Sequence, residues 1–335
     1  MREVTIERDA WNRCRYLRSA HGGHYESYFQ RANHPERPLA FWVRYTIFSP
    51  KGRSIDAVGE LWAIYFDGEN GRITAVKEAL PLTDCHFSET RLDVCIGSAV
   101  LSEGRLEGRA SSGGHSLQWA LEYEGDEPPL LLLPRPFYDR RFPKAKALVG
   151  APNAIFQGTL MVSGEAIRIE GWKGSQNHNW GSKHTDSYAW GQVAGFDNSP
   201  DTFLECATAR LRLGGIWTPP LTLVVLRTEG QEFALNGIVR AVRAQGHFDF
   251  FDWRIESHSS QVRVSAHIHA SQADFVGLTY DNPPGGTKTC LNTKLAACEL
   301  ILEQAGKAPQ TFTTKHRAAF EIFTDRQDHG IEIVA

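Results

Sequence analysis

The chain has 335 residues, of which 41% are hydrophobic and 22% are charged, and its formal net charge is −3. A chain of this length can bury one large core or two of ordinary size, and we expect two domains. The small negative charge, without a run of Lys and Arg among aromatic residues, provides no basic surface for a phosphate backbone. We therefore expect no nucleic-acid partner.

The N-terminal residues and the cysteines favour a cytoplasmic protein. Residues 1–16 (MREVTIERDAWNRCRY) are charged from the second residue and lack the apolar segment of a secretory signal. No apolar run is long enough to span a bilayer, so we expect no transmembrane segment. The six cysteines are scattered without a CxxC pair, which favours free thiols. Cys85 and Cys95 would pair in a hairpin only if the protein were exported.

Short runs of Val, Ile, Phe, Tyr and Trp, separated by Gly, Pro, Asn and Asp, indicate an all-β fold. Residues 7–19 suggest a short helix, because apolar residues recur there at every third position. Residues 128–143 (PPLLLLPRPFYDRRFP) combine proline with leucine and predict an extended strap packed on a barrel. The candidate strands are residues 39–49, 58–66, 116–123, 157–171, 187–196, 202–213, 221–228, 247–256, 261–270 and 295–303.

The densest set of polar and aromatic side chains lies in residues 171–192 (GWKGSQNHNWGSKHTDSYAWGQ). A structural strand would alternate apolar and polar residues, whereas this stretch mixes hydrogen-bonding groups with large rings, as pocket walls do. The alternative is a tight corner between two strands, in which asparagines cap backbone groups and tryptophans fill the end of a barrel. We interpret the stretch as the candidate site, with the corner as the alternative.

Two motifs resemble the AttH and carotenoid hydratase (hydroxyneurosporene synthase) family. Residues 26–29 (ESYF), followed by FWVRYTIF at 41–48, resemble its opening Glu-Trp-Trp-Tyr-Phe motif. Residues 177–181 (NHNWG) resemble its Asp-His-Gln-Trp-Gly motif, of which tocopherol cyclases carry a more distant Lys-Asn-Trp-Gly version. The resemblance implies two packed lipocalin-like (calycin-type) antiparallel β-barrels, with the second motif near their junction. It also implies hydration or cyclisation of isoprenoid double bonds.

We expect the chain to divide into an extension and two barrels, and the two motifs differ from those of the family at two positions. Residues 1–20 form an N-terminal extension, residues 21–190 the first barrel and residues 191–335 the second. The opening motif has Ser27 in place of a tryptophan, and the second motif has Asn177 in place of an aspartate. The acid that could protonate an alkene is therefore missing from its expected position.

Acid–base chemistry without a cofactor needs an acid whose pKa is raised by an apolar pocket, and a neighbour that takes a proton back. The candidate catalytic residues are His178, Glu26, Asn177 and Asp186. The candidate substrate-binding residues offer aromatic faces for developing positive charge, or polar groups beside them: Trp180, Tyr28, Trp190, Tyr188, Trp172, His184, Gln192 and Glu205. Glu205 is also a candidate acid.

Structural alternatives remain open for these residues. Glu26 could instead bond Arg31 or Arg44 at a barrel mouth, and His178 could be a core histidine satisfied by the backbone or fixed by the asparagines beside it. The rings could simply be core. No third ligand supports a metal site at His267 and His269, and the sequence has no P-loop, GxGxxG or GxSxG motif. We expect neither a metal nor a cofactor.

These features together predict a cofactor-free cyclase, isomerase or hydratase (a lyase). It would act by acid–base chemistry on a hydrophobic unsaturated small molecule, isoprenoid or polyene-like, inside a barrel cavity. The alternative is a carrier that binds such a molecule without changing it. The ionisable groups His178, His184 and Asp186 are more than storage requires, which favours the enzyme.

Overall fold

The computed structural model describes residues 2–17 and 21–335. Within these ranges it contains two helices, α1 (Arg2–Asn12) and α2 (Ile238–Arg243), and 24 strands. Nearly all of the remaining described chain connects strands. The prediction of an all-β fold is confirmed.

The first large sheet is antiparallel and contains both the opening motif and the second motif. Its strands are β1 (His24–Asn33), β2 (Leu39–Ser49), β3 (Val58–Asp67), β4 (Arg72–Pro81), β5 (Cys85–Phe87), β6 (Asp93–Ile96), β7 (Ala99–Ser102), β8 (Arg105–Ser112), β9 (His115–Glu124), β10 (Leu130–Leu131), β11 (Ala145–Val162) and β12 (Glu165–Gly181). Their order is β4-β3-β2-β1-β12-β11-β9-β8-β7-β6-β5, with β10 paired to β11. Strand β4 comes back to β8, where Lys77 N donates to Ser112 Oγ over 3.0 Å. The sheet is therefore a nearly closed barrel.

The second large sheet is also antiparallel. Its strands are β13 (Ser187–Phe196), β14 (Ser199–Arg210), β17 (Leu221–Thr228), β18 (Gln231–Leu235), β19 (Gln245–Asp249), β20 (Asp252–His258), β21 (Val262–His269), β22 (Val276–Asp281), β23 (Thr287–Gln304) and β24 (Gln310–Thr324). A separate hairpin contains β15 (Arg212–Leu213) and β16 (Ile216–Trp217). The order in the sheet is β18-β17-β14-β13-β24-β23-β21-β20-β19, with β22 paired to β23.

Strands β1 and β2 are buried on both faces, unlike the half-exposed β9. Side chains such as Tyr28 and Tyr45 fill the barrel interior. Those of the opposite face, including Phe29 and Trp42, pack against Trp190 and other residues of the second sheet. Since successive residues of a strand point to opposite faces, β1 and β2 form the wall between the barrel core and the second sheet.

Two predicted strands are hairpins instead. The predicted strand 157–171 is split at Ser163 and Gly164, where both φ angles are positive and β11 turns into β12. The predicted strand 247–256 turns at residues 250–251, so that Asp249 pairs with Asp252. A turn made of two phenylalanines carries none of the usual Gly, Pro, Asn or Asp signals.

The N-terminal helix lies earlier than the expected residues 7–19. Helix α1 ends at Asn12, and residues 14–17 continue without regular structure. Cys14 and Tyr16 are buried there against Ile47 and Leu82 at one end of the barrel. Residues 18 and 19 lie outside the described residues. The apolar periodicity therefore marks a segment that packs on the barrel rather than a helical face.

The strap predicted at residues 128–143 connects β9 to β11. Leu130 pairs with Val149, and Tyr138 Oη donates to Ala147 O over 2.6 Å. The first large sheet ends at Gly181 and the second begins at Ser187; the predicted domain division after residue 190 stays a prediction. Neither described helix has the length and apolarity needed to cross a bilayer.

Candidate functional site

A cavity of about 290 Å³ lies between the barrel and the second sheet. Strand β12 forms one wall, the strap 128–143 covers one side, and α2 borders another. Its aromatic lining comes from both sheets and includes Tyr25, Phe29, Trp42, Tyr188, Trp190 and Tyr280. Its charged and polar lining includes Arg44, Asn177, His184, Glu205, Asn236 and Glu321. An apolar cavity with a few polar groups is typical of a small-molecule site.

Glu205 is a buried carboxyl group in the cavity wall. Trp190 Nε1 donates to its Oε1 and Gln192 Nε2 donates to its Oε2, each over 2.8 Å. Burial raises the pKa of Glu205 to about 7, because desolvation outweighs the two hydrogen bonds and the charge of Arg31, which lower it. Glu205 is therefore an acid that can both give and accept a proton near neutral pH.

Gln192 joins Glu205 to the second motif. Its Nε2 donates to Asn177 Oδ1 over 2.8 Å, and its Oε1 accepts hydrogen bonds from Arg31 Nε over 2.8 Å and Ser175 Oγ over 2.6 Å. Asn177 Nδ2 donates in turn to Ser175 Oγ over 2.9 Å. Asn177, which departs from the family motif, is thus connected to Glu205 through hydrogen bonds to the Gln192 side chain.

Glu26 lies on the other side of the wall, inside the end of the barrel. Its carboxylate accepts hydrogen bonds from Arg15 N over 2.8 and 2.9 Å, from Tyr28 Oη over 3.1 Å and from His24 Nε2 over 2.9 Å. Burial acts to raise its pKa, but hydrogen bonds from His178 and His24 hold the pKa well below its ordinary value. The expected alternative partners Arg31 and Arg44 lie on the opposite face of the sheet.

His178 is a fully buried partner of Glu26. Its Nδ1 lies 2.9 Å from Trp11 O, and its Nε2 lies 2.9 Å from Glu26 Oε1. A carbonyl oxygen can only accept, so Nδ1 carries a hydrogen, and Nε2 must then share a further proton with the carboxylate. Burial lowers the pKa of His178, whereas Glu26 acts in the opposite direction. The flanking asparagines point to the other face and do not set the tautomer.

The other predicted residues lie in four places: the cavity, the barrel end, the barrel core and the loop between the sheets. Tyr188 lines the cavity and stacks on Phe323 with centroids 5.0 Å apart. His184 lines it too, and burial followed by the charge of Arg44 lowers its pKa to about 3, so it is neutral. Trp180 packs on His178 with centroids 4.6 Å apart.

Trp172 and Asp186 lie elsewhere. Trp172 is in the barrel core, stacked on Phe41 with centroids 6.0 Å apart. Asp186 is in the loop between the sheets, where it accepts from Lys183 Nζ over 2.5 Å and Arg212 N over 2.9 Å. The structure therefore brings Asn177, His184, Tyr188, Trp190 and Glu205 to the cavity lining, with Gln192 hydrogen-bonded to Asn177 and Glu205. It brings Glu26, Tyr28, His178 and Trp180 to the barrel end, where His178 also borders the cavity.

Several cavity residues were not predicted. Glu321 and Tyr280 come from strands that carry no motif, and Arg44 was considered only as a partner of Glu26. The one available signal was a charged residue inside the apolar run FWVRYTIF. Among the residues that the structure describes, no three His, Cys, Asp or Glu side chains form an arrangement suited to a metal ion.

Two known proteins are similar to this chain in sequence. Two uncharacterized proteins from two strains of Mycobacterium tuberculosis are each 26% identical over 222 residues, which is 66% of this chain and 64% of theirs. The match therefore spans less than two thirds of these relatives. No protein-family profile matches the chain.

Solved structures match along almost the whole chain. An AttH-type protein of Nitrosomonas europaea has a TM-score of 0.56 at 11% identity, covering 90% of this chain and 92% of its own. The chain has the AttH and hydratase fold. Kievitone hydratase of Nectria haematococca gives 0.56 at 12% identity over 92% and 90% of the two chains. CghA with bound Sch210972 gives 0.52 at 11% identity over 90% and 88%. The resemblance expected from the two motifs is confirmed for the fold.

Proposed function

We propose that this protein is a hydratase or cyclase of small hydrophobic unsaturated molecules, of isoprenoid or polyene type, that works by proton transfer without a cofactor. Kievitone hydratase shares its fold, and the CghA structure holds a small molecule. The observation that carries the proposal is Glu205: a carboxyl group with a pKa of about 7 in an aromatic-lined cavity. Such a group is protonated often enough to act as an acid at neutral pH.

In this proposal Glu205 protonates a carbon–carbon double bond of the bound molecule. The positive charge that develops is stabilised by the ring faces of Trp190 and Trp42. The hydrogen bonds from Trp190 and Gln192 stabilise the carboxylate left behind. That carboxylate then takes a proton from a neighbouring carbon after ring closure, or from a water molecule that adds to the cation.

We further propose that Glu205 supplies the acid that the motif lost at Asn177. The two residues are joined through Gln192, so their side chains reach the same end of the cavity. Asn177 would then position Gln192 instead of transferring a proton itself. Glu26 and His178 would hold the barrel end in place beneath residues 11–15.

The test is conversion of a panel of isoprenoids and polyenes by the wild type and by Glu205→Gln, followed by mass spectrometry. We expect the variant to lose about 10²- to 10⁴-fold in turnover, as positioned acids contribute, and a chelator to have no effect. Glu303→Gln, an exposed glutamate of the second sheet, is the matched control and should behave as wild type. Unchanged turnover in Glu205→Gln would refute the mechanism, and ligands retained without conversion would support the carrier.

A further inference from the structure

Arg44 is a buried cation in the wall of the cavity. It lies on β2 opposite Phe29, and its side chain is 5% exposed. Its Nη2 donates to Ser27 Oγ over 2.6 Å. Its Nε is buried and has no hydrogen-bond partner among the described residues. A guanidinium has five N–H donors, so most of its hydrogen-bonding capacity is unused by the protein.

Aromatic rings fix the position of this guanidinium. Its central carbon lies 4.5 Å from the ring centroid of Tyr280 and 5.8 Å from that of Trp42. Cation–π contacts at these distances orient a cation without supplying it with acceptor atoms. Arg44 is therefore held in place while most of its donors stay free.

The neighbouring carboxylates are already bound to lysines. Glu60 and Glu321 both act on Arg44 electrostatically. Glu60 Oε1, however, pairs with Lys77 Nζ over 3.0 Å, and Glu321 Oε1 pairs with Lys294 Nζ over 2.9 Å. Burial acts to lower the pKa of Arg44, but Tyr280, Glu60 and Glu321 raise it above its ordinary value, so the guanidinium is charged. Neither carboxylate hydrogen-bonds to it, so a ligand that brings an anionic oxygen would supply a direct partner.

We propose that Arg44 binds an acidic oxygen of the substrate, which is therefore a hydrophobic molecule that carries a carboxylate or an enolate. This inference rests on the proposed function, because it names the substrate class for the same cavity. A bidentate guanidinium contact to a carboxylate is short and directional, so it would also fix which way round the molecule lies.

The acidic oxygen and the reacting double bond would lie along one wall. The ring of Phe29 contacts both Trp42 and Trp190, with centroid distances of 6.2 and 6.0 Å. Trp42 lies beside Arg44, and Trp190 is bonded to Glu205. A substrate anchored at Arg44 would therefore extend over these rings toward Glu205.

Two other cations lie near the cavity, and each is already hydrogen-bonded to the protein. Lys294 is fully buried and its Nζ already bonds Asn292 and Glu321. Lys146 lines the cavity, and its Nζ donates to Pro143 O over 2.9 Å. Lys146 is thus a matched control: a cation on the same cavity whose replacement should leave anion binding intact.

The experiment compares the binding of decanoate and decanol, which share a chain and differ in the acidic head, by calorimetry. We expect the wild type to bind decanoate about 10- to 100-fold more tightly, since a hydrogen bond to a charged group contributes roughly that much. In Arg44→Met, which keeps the side-chain volume, this preference should disappear while decanol binds as before. In Lys146→Met the preference should persist.

Equal binding of the two ligands by the wild type would overturn the inference without any variant, so it does not depend on Arg44→Met being folded. Retention of the preference in a folded Arg44→Met would also overturn it, as would its loss in Lys146→Met alone. The proposed function is tested separately. If Glu205→Gln keeps full turnover while the preference for decanoate depends on Arg44, the acid mechanism is wrong, but the proposed class of ligand is still supported.

Discussion

Trp190 donates its indole N–H to Glu205 Oε1 over 2.8 Å from the adjacent strand. The bond opposes burial, because it favours the charged carboxylate that desolvation disfavours. The pKa of about 7 is the balance of burial against the hydrogen bonds from Trp190 and Gln192 and the charge of Arg31. Changing either one should therefore move the pH at which the protein works.

Turnover should follow the protonated form of Glu205. With a pKa of about 7, the rate should be constant below that pH and fall about tenfold per pH unit above it. The measurement is the pH–rate profile of kcat/KM, which reports the pKa of the free enzyme. A rate that rises with pH through 7 would show that the carboxylate, not the acid, is the active form.

Trp190→Phe should shift the pH–rate profile to higher pH. The substitution keeps most of the ring and removes the hydrogen bond that lowers the pKa of Glu205, so the pKa should rise above 7. The midpoint of the pH–rate profile should move to higher pH with it. Tyr188→Phe, which changes another ring of the same cavity, is the control and should leave the midpoint unchanged.

Glu205 should also make stability depend on pH. Its folded-state pKa is raised from 4.5 to about 7, so the folded state binds more protons than the unfolded state between these values. The free energy of unfolding should therefore fall as the pH rises from about 4.5 to 7, by roughly 3 kcal/mol for this group. Denaturant melts of Glu205→Gln across this range should lack that component; an identical slope in variant and wild type would contradict the raised pKa.

His178→Ala should unfold more easily than the wild type. It removes a buried partner of Glu26 and leaves a cavity, although Arg15 N, Tyr28 Oη and His24 still contact that carboxylate. Breaking a buried pair in this way costs about 3 to 5 kcal/mol. Urea denaturation measures the loss, and the double variant with Glu26→Gln should lose less than the sum of the two single variants. A purely catalytic His178 would leave the urea midpoint unchanged.

Asn177→Asp should restore a carboxyl group to the motif at a cost in stability. The new oxygen would face Ser175 O and Phe29 O, which Asn177 Nδ2 now contacts at 3.3 and 3.4 Å. Repulsion from these carbonyls should raise the pKa of the aspartate. The variant should then lose about 1 to 3 kcal/mol at neutral pH and recover as the pH falls. Asn179→Asp, whose Oδ1 has no partner among the described residues, is the control.

Much of the fold followed from local pattern. Strands Leu39–Ser49, Ser187–Phe196 and Leu221–Thr228 begin and end where the sequence predicts, because each is an apolar or alternating run between breakers. The hairpin at Ser163 was missed because the strands on both sides continue the same composition. The N-terminal segment was misplaced because its apolar residues contact the barrel end, a tertiary effect that periodicity does not report.

The sequence predicts which residue types form the site, but not on which face of the wall formed by β1, β2 and β12 each side chain lies. The sequence predicts that Glu26 shares a pocket with Glu205, yet alternate residues of β1 and β12 face different compartments, and of the barrel-end residues Glu26, Tyr28, His178 and Trp180 only His178 also borders the cavity. Pairing register decides this: Glu26 lies opposite Ile47, whereas Arg44 lies opposite Phe29. Sequence alone does not give that register, so it does not predict that Arg44 lines the cavity.

Arg31 ties the two halves of the chain into one folding unit. Its guanidinium is fully buried and donates to Gln192 Oε1, Gln192 O and Arg317 O, all on the second sheet, although Arg31 itself belongs to the first. A fragment that stops in the loop after Gly181 would keep this cation and its bond to Asn33 Oδ1 but lose the three acceptors on the second sheet. This loop separates the two sheets. If the gene were split there, we expect that each fragment would fold only when the other is present, as in fragment complementation.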